Sequence, residues 1–266
     1  MARAEANGIE LEYEVQGPGD GAPLLLVMGL GQQLVAWPET LVDLLTGAGF
    51  RVIRFDHRDT GFSTKFEGVE EIPVPQAFLQ RQMGMKVSAP YDLEDLADDA
   101  FGLLDHLGVE RAHVVGVSMG GMVAQIMASR RPDRVQTLAS IMSTTGEDSL
   151  PSGRPEALAL LGRSRPAGGS VDELVEFGVA ARRTLAGSGY PTPEAEMRRR
   201  GAVAVERMWY PRGYARHTLA VLASGDRAER LARLTVPTLV IHGREDPLVP
   251  VEHGERTAEL VPGARL

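Results

Sequence analysis

Apolar and polar positions alternate along the chain with two periods. Residues 2–16 read as a hairpin: a short strand, an Asn7-Gly8 turn, then Ile9, Leu11, Tyr13 and Val15 separated by polar residues. Pro23–Met28 is an unbroken apolar run, the pattern of a strand covered on both faces. The spacing predicts a helix over Trp37–Ala48, closed by Gly47 or Gly49, and a strand over Arg51–Phe55. It predicts a second helix over Asp92–Leu107, with Leu93, Leu96, Ala100, Leu103, Leu104 and Leu107 at helical intervals. Ala112–Val117, Met119–Arg130 and Val135–Met142 follow as strand, helix and strand. Residues 63–90 show no period and read as a long loop. Strands alternating with helices predict an α/β class: a mostly parallel central sheet with helices on both faces.

The rhythm stops near Thr145. Residues 147–225 carry helical segments at Glu156–Leu161, Val171–Leu185, Pro193–Trp209 and Tyr214–Ala223, parted by Pro and Gly. No strand pattern occurs there, so the segment reads as a helical cap inserted into a core formed by 1–146 and 226–266. A strand returns at Val236–His242, followed by a loop, Gly243–Pro250, and a helix, Val251–Leu260.

Composition narrows the function classes. The 266 residues carry a formal charge of -8 and no basic stripe, which argues against nucleic acid as a partner. The chain has no cysteine, so it holds no disulfide, no thiolate metal site and no cysteine nucleophile. That composition and the lack of an apolar leader at the N-terminus fit a cytoplasmic location. The longest apolar stretch, Leu24–Leu30, is too short to span a bilayer. No His and carboxylate cluster has metal-ligand spacing, and no cofactor is implied.

The chemistry is concentrated in His113–Gln125, which reads HVVGVSMGGMVAQ and sets Ser118 in a G-x-S-x-G frame between a β-branched strand and an apolar helix. A serine on so sharp a strand-to-helix turn is held in strained backbone geometry with its hydroxyl pushed out above the sheet, and Gly116 and Gly120 leave room for neighbouring backbone. Such a hydroxyl becomes a nucleophile only with a base to take its proton and donors to hold the resulting oxyanion. Asp246 and Glu245, after the Val236–His242 strand, stand where sites in open parallel sheets lie.

With these parts the chain resembles the α/β-hydrolases over nearly its whole length. FDHRDTGFS at residues 55–63 is similar to that family's D-x-R-x-x-G-x-S loop, and Met28-Gly29-Leu30 stands in the place of its oxyanion motif. HVVG-x-SMG, DHRDTG-x-S and VMG together are most similar to bacterial esterases of the aclacinomycin methylesterase type. The resemblance implies Ser118 as nucleophile, the backbone N–H groups of Leu30 and Met119 as oxyanion donors, and Asp246 as the acid. It also implies a histidine after Asp246. His253, within the last helix, is the only one in the chain there and matches no motif of the family, so the triad histidine is expected beyond Leu266, after a further strand that starts near Pro262. Without that strand, Val236–His242 is an apolar sheet edge.

The implied activity is cleavage of a small-molecule carboxylic ester through an acyl-enzyme, in a monomer or homodimer. A perhydrolase, an amide or C–C bond hydrolase, and a hydrolase-fold binding protein without turnover are the alternatives. Dehalogenases and epoxide hydrolases carry Asp where this chain has Ser118.

Overall fold

The computed structural model describes residues 1–266. The chain opens with the expected hairpin, β1 (Ala2–Ala6) and β2 (Ile9–Gln16). Asn7 and Gly8 both adopt positive φ, 49° and 76°, the handedness that matches the strand twist. β3 (Ala22–Val27), α1 (Glu39–Gly47) and β4 (Phe50–Phe55) follow, then α2 (Val74–Gln82), α3 (Leu93–His106), β5 (Ala112–Val117), α4 (Met119–Arg130) and β6 (Val135–Ile141). Four helices come next: α5 (Pro155–Gly162), α6 (Val171–Leu185), α7 (Glu194–Arg207) and α8 (Pro211–Ala223). The short α9 (Ala228–Leu231), β7 (Thr238–Ile241) and α10 (Val251–Leu260) complete the chain.

The seven strands form one sheet in the order β1-β2-β4-β3-β5-β6-β7. The β1–β2 and β2–β4 pairs are antiparallel, and all others are parallel. The order turns back on itself around β3, and the carboxyl ends of β3 and β5 lie side by side there. Open α/β sheets bind ligands at such a reversal. α4 is buried from Met119 through Ala128 with no polar face, as expected of a helix wedged between a sheet and its neighbours. α3 buries Leu93, Leu96, Ala97, Ala100, Leu103 and Leu104 and starts at a capping box of Asp92 and Asp95.

Three expectations need correction. Residues 63–90 are not loop throughout, because α2 runs from Val74 to Gln82. That helix buries only Ala77, which packs with Val87 and Leu219, so it shows no apolar stripe in sequence. The helix expected from Trp37 begins at Glu39, since Pro38 occupies the cap position with extended backbone. The last strand is Thr238–Ile241, shorter than Val236–His242. At its free side Leu239 forms a parallel bridge with Arg265, and Val240 N–H donates to the Arg265 carbonyl at 2.7 Å. Arg265 thus adds a single parallel bridge on that side of β7, while Leu239 and Ile241 remain 40% and 46% exposed.

Candidate active site

Ser118 joins β5 to α4 with φ 55° and ψ -121°, a conformation costly for any residue with a Cβ. The surroundings hold it there. Its N–H donates to the Ile141 carbonyl (2.8 Å), and its carbonyl accepts from Ser143 Oγ (2.9 Å) and Gly121 N–H (2.8 Å). The glycines are obligatory by close approach: a Cβ on Gly116 would strike the Gly120 backbone, and one on Gly120 would strike the Val27 and Met28 carbonyls.

Leu30 and Met119 line the same cavity as Ser118, and their backbone N–H groups have no protein acceptor. Met119 opens α4, where the first N–H groups have no partner within the helix. Leu30, after β3, lies in the Met28–Gly31 loop, and no intramolecular hydrogen bond uses its N–H. The groups on either side of it are tied down: His57 Nε2–H donates to the Met28 carbonyl at 3.0 Å, and Gly31 N–H donates to His217 Nδ1 at 3.1 Å. The loop is therefore fixed at both ends, with the Leu30 N–H among the donors left without a protein acceptor.

Asp246 has one oxygen occupied. Its Oδ1 accepts from Leu248 N–H and Val249 N–H, both at 2.9 Å. Oδ2 has no donor within hydrogen-bond reach; the nearest is His242 Nε2 at 3.9 Å, which instead donates to the Val249 carbonyl at 2.7 Å. Glu245 points elsewhere, accepting from the N–H and hydroxyl of Ser188, and those bonds hold its carboxyl below the ordinary range.

Ser118, Leu30, Met119 and Asp246 all line one cavity of ≈ 510 Å³, of the size that takes a small organic molecule. The strand-end loops bound one side and α5–α8 the other. Twenty-five of its 37 lining residues are hydrophobic, so an apolar substrate body fits.

The 22–169 segment matches the sequence profile of the alpha/beta hydrolase fold family, more than half of the chain. The chain belongs to the α/β-hydrolase family. Similarity extends to rhodomycin D methylesterase DauP of Streptomyces sp. (strain C5), 33% identical over 94% of this chain and 85% of the relative. A putative carbamate hydrolase, RutD of Variovorax paradoxus (strain S110), is 32% identical over 94% and 83%. Among solved structures, the enol-lactonase from Burkholderia xenovorans LB400 superposes with a TM-score of 0.73 at 26% identity, covering 99% and 89% of the two chains.

In this α/β-hydrolase the loop at residues 55–63 works as a joint. Asp56 is fully buried and accepts from Leu34 N–H (2.7 Å), Phe62 N–H (3.0 Å) and Arg207 Nη2 (2.7 Å). Asp59 accepts from the Tyr91 hydroxyl (2.7 Å) and Arg216 Nη1 (2.9 Å), while Arg58 forks onto Asp99 with two 2.6 Å bonds. Arg207 and Arg216 come from α7 and α8, so buried ion pairs bind those helices to the sheet. Sequence reading did not give these roles to Arg207, Arg216 or His217; Arg216 and His217 are buried away from the cavity, which Tyr214 of the same helix does line. Their partners Asp56, Asp59, Gly31 and Arg58 lie over 150 residues away along the chain, and no local motif flags them.

None of the six histidines lines the cavity. His253 is engaged at both nitrogens, Nδ1 with Thr144 Oγ1 (2.7 Å) and Nε2 with the Pro151 carbonyl (2.9 Å). His57 and His217 are wholly buried; desolvation above all pushes them down to about 3 and about 4, so both are neutral at pH 7. Each donates from Nε2 to a carbonyl, His57 to Met28 and His217 to Arg58 (2.8 Å), which fixes the tautomer.

Proposed function

We propose that this α/β-hydrolase is a serine esterase acting on small carboxylic esters. Ser118 Oγ attacks the ester carbonyl carbon and its proton passes to a histidine. The carbonyl oxygen, now an oxyanion, receives the N–H groups of Leu30 and Met119. Collapse expels the alcohol, which takes the proton from the imidazolium, and leaves an acyl group on Ser118. Water, deprotonated by the same base, then releases the acid. Asp246 Oδ2, whose partner oxygen is anchored by two backbone donors, orients that imidazole. The base is a histidine expected beyond Leu266, in the order Ser, Asp, His. Residues 147–225 act as a cap over the cavity and select the substrate. The protein works without a metal or cofactor, in the cytoplasm.

The observation that carries this reading is the strained Ser118 at an apolar cavity that Leu30 and Met119 also line, with N–H groups that no protein atom uses. Similarity to a methylesterase and to a putative carbamate hydrolase supports acyl chemistry on the same parts. One observation favours a second reading, a binding protein without turnover: no histidine of residues 1–266 reaches the cavity. Hydrolysis of 4-nitrophenyl butyrate by the full-length protein and its Ser118→Ala variant decides between them. The esterase reading requires turnover that falls by about 10³-fold or more in the variant. Absence of turnover in folded protein, or turnover indifferent to Ser118, rejects it.

A further inference from the structure

The chain carries a net charge of -8, yet the charged residues lining the cavity are three arginines, Arg163, Arg165 and Arg182, and a single carboxylate, Asp246. None of the three arginines forms an ion pair. Elsewhere the enclosed arginine side chains of Arg54, Arg58, Arg207 and Arg216 each hold a carboxylate at 2.6–2.9 Å, and buried Arg227, which has no carboxylate, donates instead to Gln125 Oε1 and to the Thr144 and Gly225 carbonyls. Arg165, between α5 and α6, instead lays its guanidinium 3.7 Å from the centre of the Tyr214 ring and 5.7 Å from that of Trp209. Arg163 stacks 4.5 Å over Phe177 in the same manner. Stacking satisfies the flat faces of a guanidinium and leaves its N–H edge free for a planar, bidentate acceptor.

The electrostatics agree with the geometry. Burial lowers the Arg165 guanidinium, with only Tyr214 opposing it; burial and the neighbouring Arg200 lower Arg182. Both remain cationic, because arginine does not lose its proton in proteins. A half-buried cation without a counter-charge is costly, and the cavity places it in reach of a ligand. Tyr214 in turn packs on the oxyanion loop: a Cβ on Gly31 would lie 2.6 Å from Tyr214 Cδ2. Arg165 is thus one aromatic ring removed from the loop that carries Leu30.

We propose that the cavity takes an ester whose apolar body carries a carboxylate, and that Arg165, which holds no carboxylate of the protein, receives it through its guanidinium N–H groups. The inference rests on the esterase reading for the ester, but its binding half stands by itself. Arg163 and Arg182 add positive potential to the same cavity. Arg165 is a specificity residue, remote from bond making.

Isothermal titration calorimetry on the full-length protein with 2-naphthoate and 2-naphthamide, which share a ring and differ in charge, tests this directly. Naphthoate is expected to bind about tenfold tighter or more, and Arg165→Gln to bring the two within about threefold. Ser118→Ala is expected to keep the preference, and Arg165→Gln to melt at or above the wild-type temperature. Equal binding by the wild type, or a preference that survives Arg165→Gln, overturns the proposal. Arg165→Met reads the same way if the Gln variant does not fold. Turnover of 4-nitrophenyl butyrate is recorded in parallel. A naphthoate preference without turnover defeats the esterase reading alone; turnover without a preference defeats this inference alone.

Discussion

Acidification between pH 7 and pH 5 attacks this fold through two rings. His57 and His217 are held neutral with pKa values near 3 and 4, whereas an unfolded chain releases them to about 6.5. The sign follows from proton uptake. Between pH 6.5 and those folded values the unfolded state binds protons that the native state refuses, so stability falls as pH falls. Each ring contributes about 1.4 kcal/mol per pH unit inside that window. From pH 7 to pH 5 that amounts to about 2 kcal/mol per histidine and about 4 kcal/mol for the pair, a large part of the 5–15 kcal/mol that holds an ordinary domain folded. His113 shifts in the same direction, but its ring is only partly buried and adds less. Urea unfolding at pH 7, 6 and 5 measures the loss. His217→Gln separates its source, since glutamine can accept from Gly31 N–H and donate to the Arg58 carbonyl without titrating. That variant is expected to keep ester turnover and to lose about 2 kcal/mol less than wild type over the interval. Stability unchanged from pH 7 to pH 5, or an identical slope in the Gln variant, would refute the reasoning.

Other outcomes follow from the site. His217→Leu strands Gly31 N–H and the Arg58 carbonyl in the interior, at about 1–3 kcal/mol for each orphan, and should depress kcat with the oxyanion loop loosened; paired unfolding and kinetic assays read both effects. Asp246→Asn should cut kcat by about 10²-fold or more, because the imidazole loses the acceptor that sets its tautomer, whereas Glu245→Gln should leave kcat within about threefold. His253→Ala should preserve turnover, as that ring is committed to Thr144 and Pro151; a collapse of kcat in folded His253→Ala would make it the base and displace the histidine expected beyond Leu266.

Short-range features of this protein were legible in its sequence. The elbow announced itself because its glycines, its serine and the flanking strand and helix all fall within Ala112–Arg130, and the period-two hairpin and the apolar face of α3 were equally local. α2 was not legible, since a helix that buries one alanine has no stripe to read. The joint between the sheet and α7–α8 was hidden for a different reason. Arg207 and Arg216 look like surface charges until the fold brings Asp56 and Asp59 to them, and His217 looks like one polar residue on a mostly apolar helix. The choice of Asp246 over Glu245 came from family resemblance, and the hydrogen bonds give it a physical reason. Glu245 is spent on Ser188, while Asp246 keeps one oxygen unbound.

The central claim is that Ser118 forms the covalent bond to substrate. The measurement that tests it most directly is peptide mass mapping of the full-length protein after treatment with a fluorophosphonate. The account predicts a single phosphonyl adduct on Ser118, with none formed by Ser118→Ala. An unlabelled Ser118 in folded protein, or an adduct that persists on another residue of the Ala variant, contradicts it.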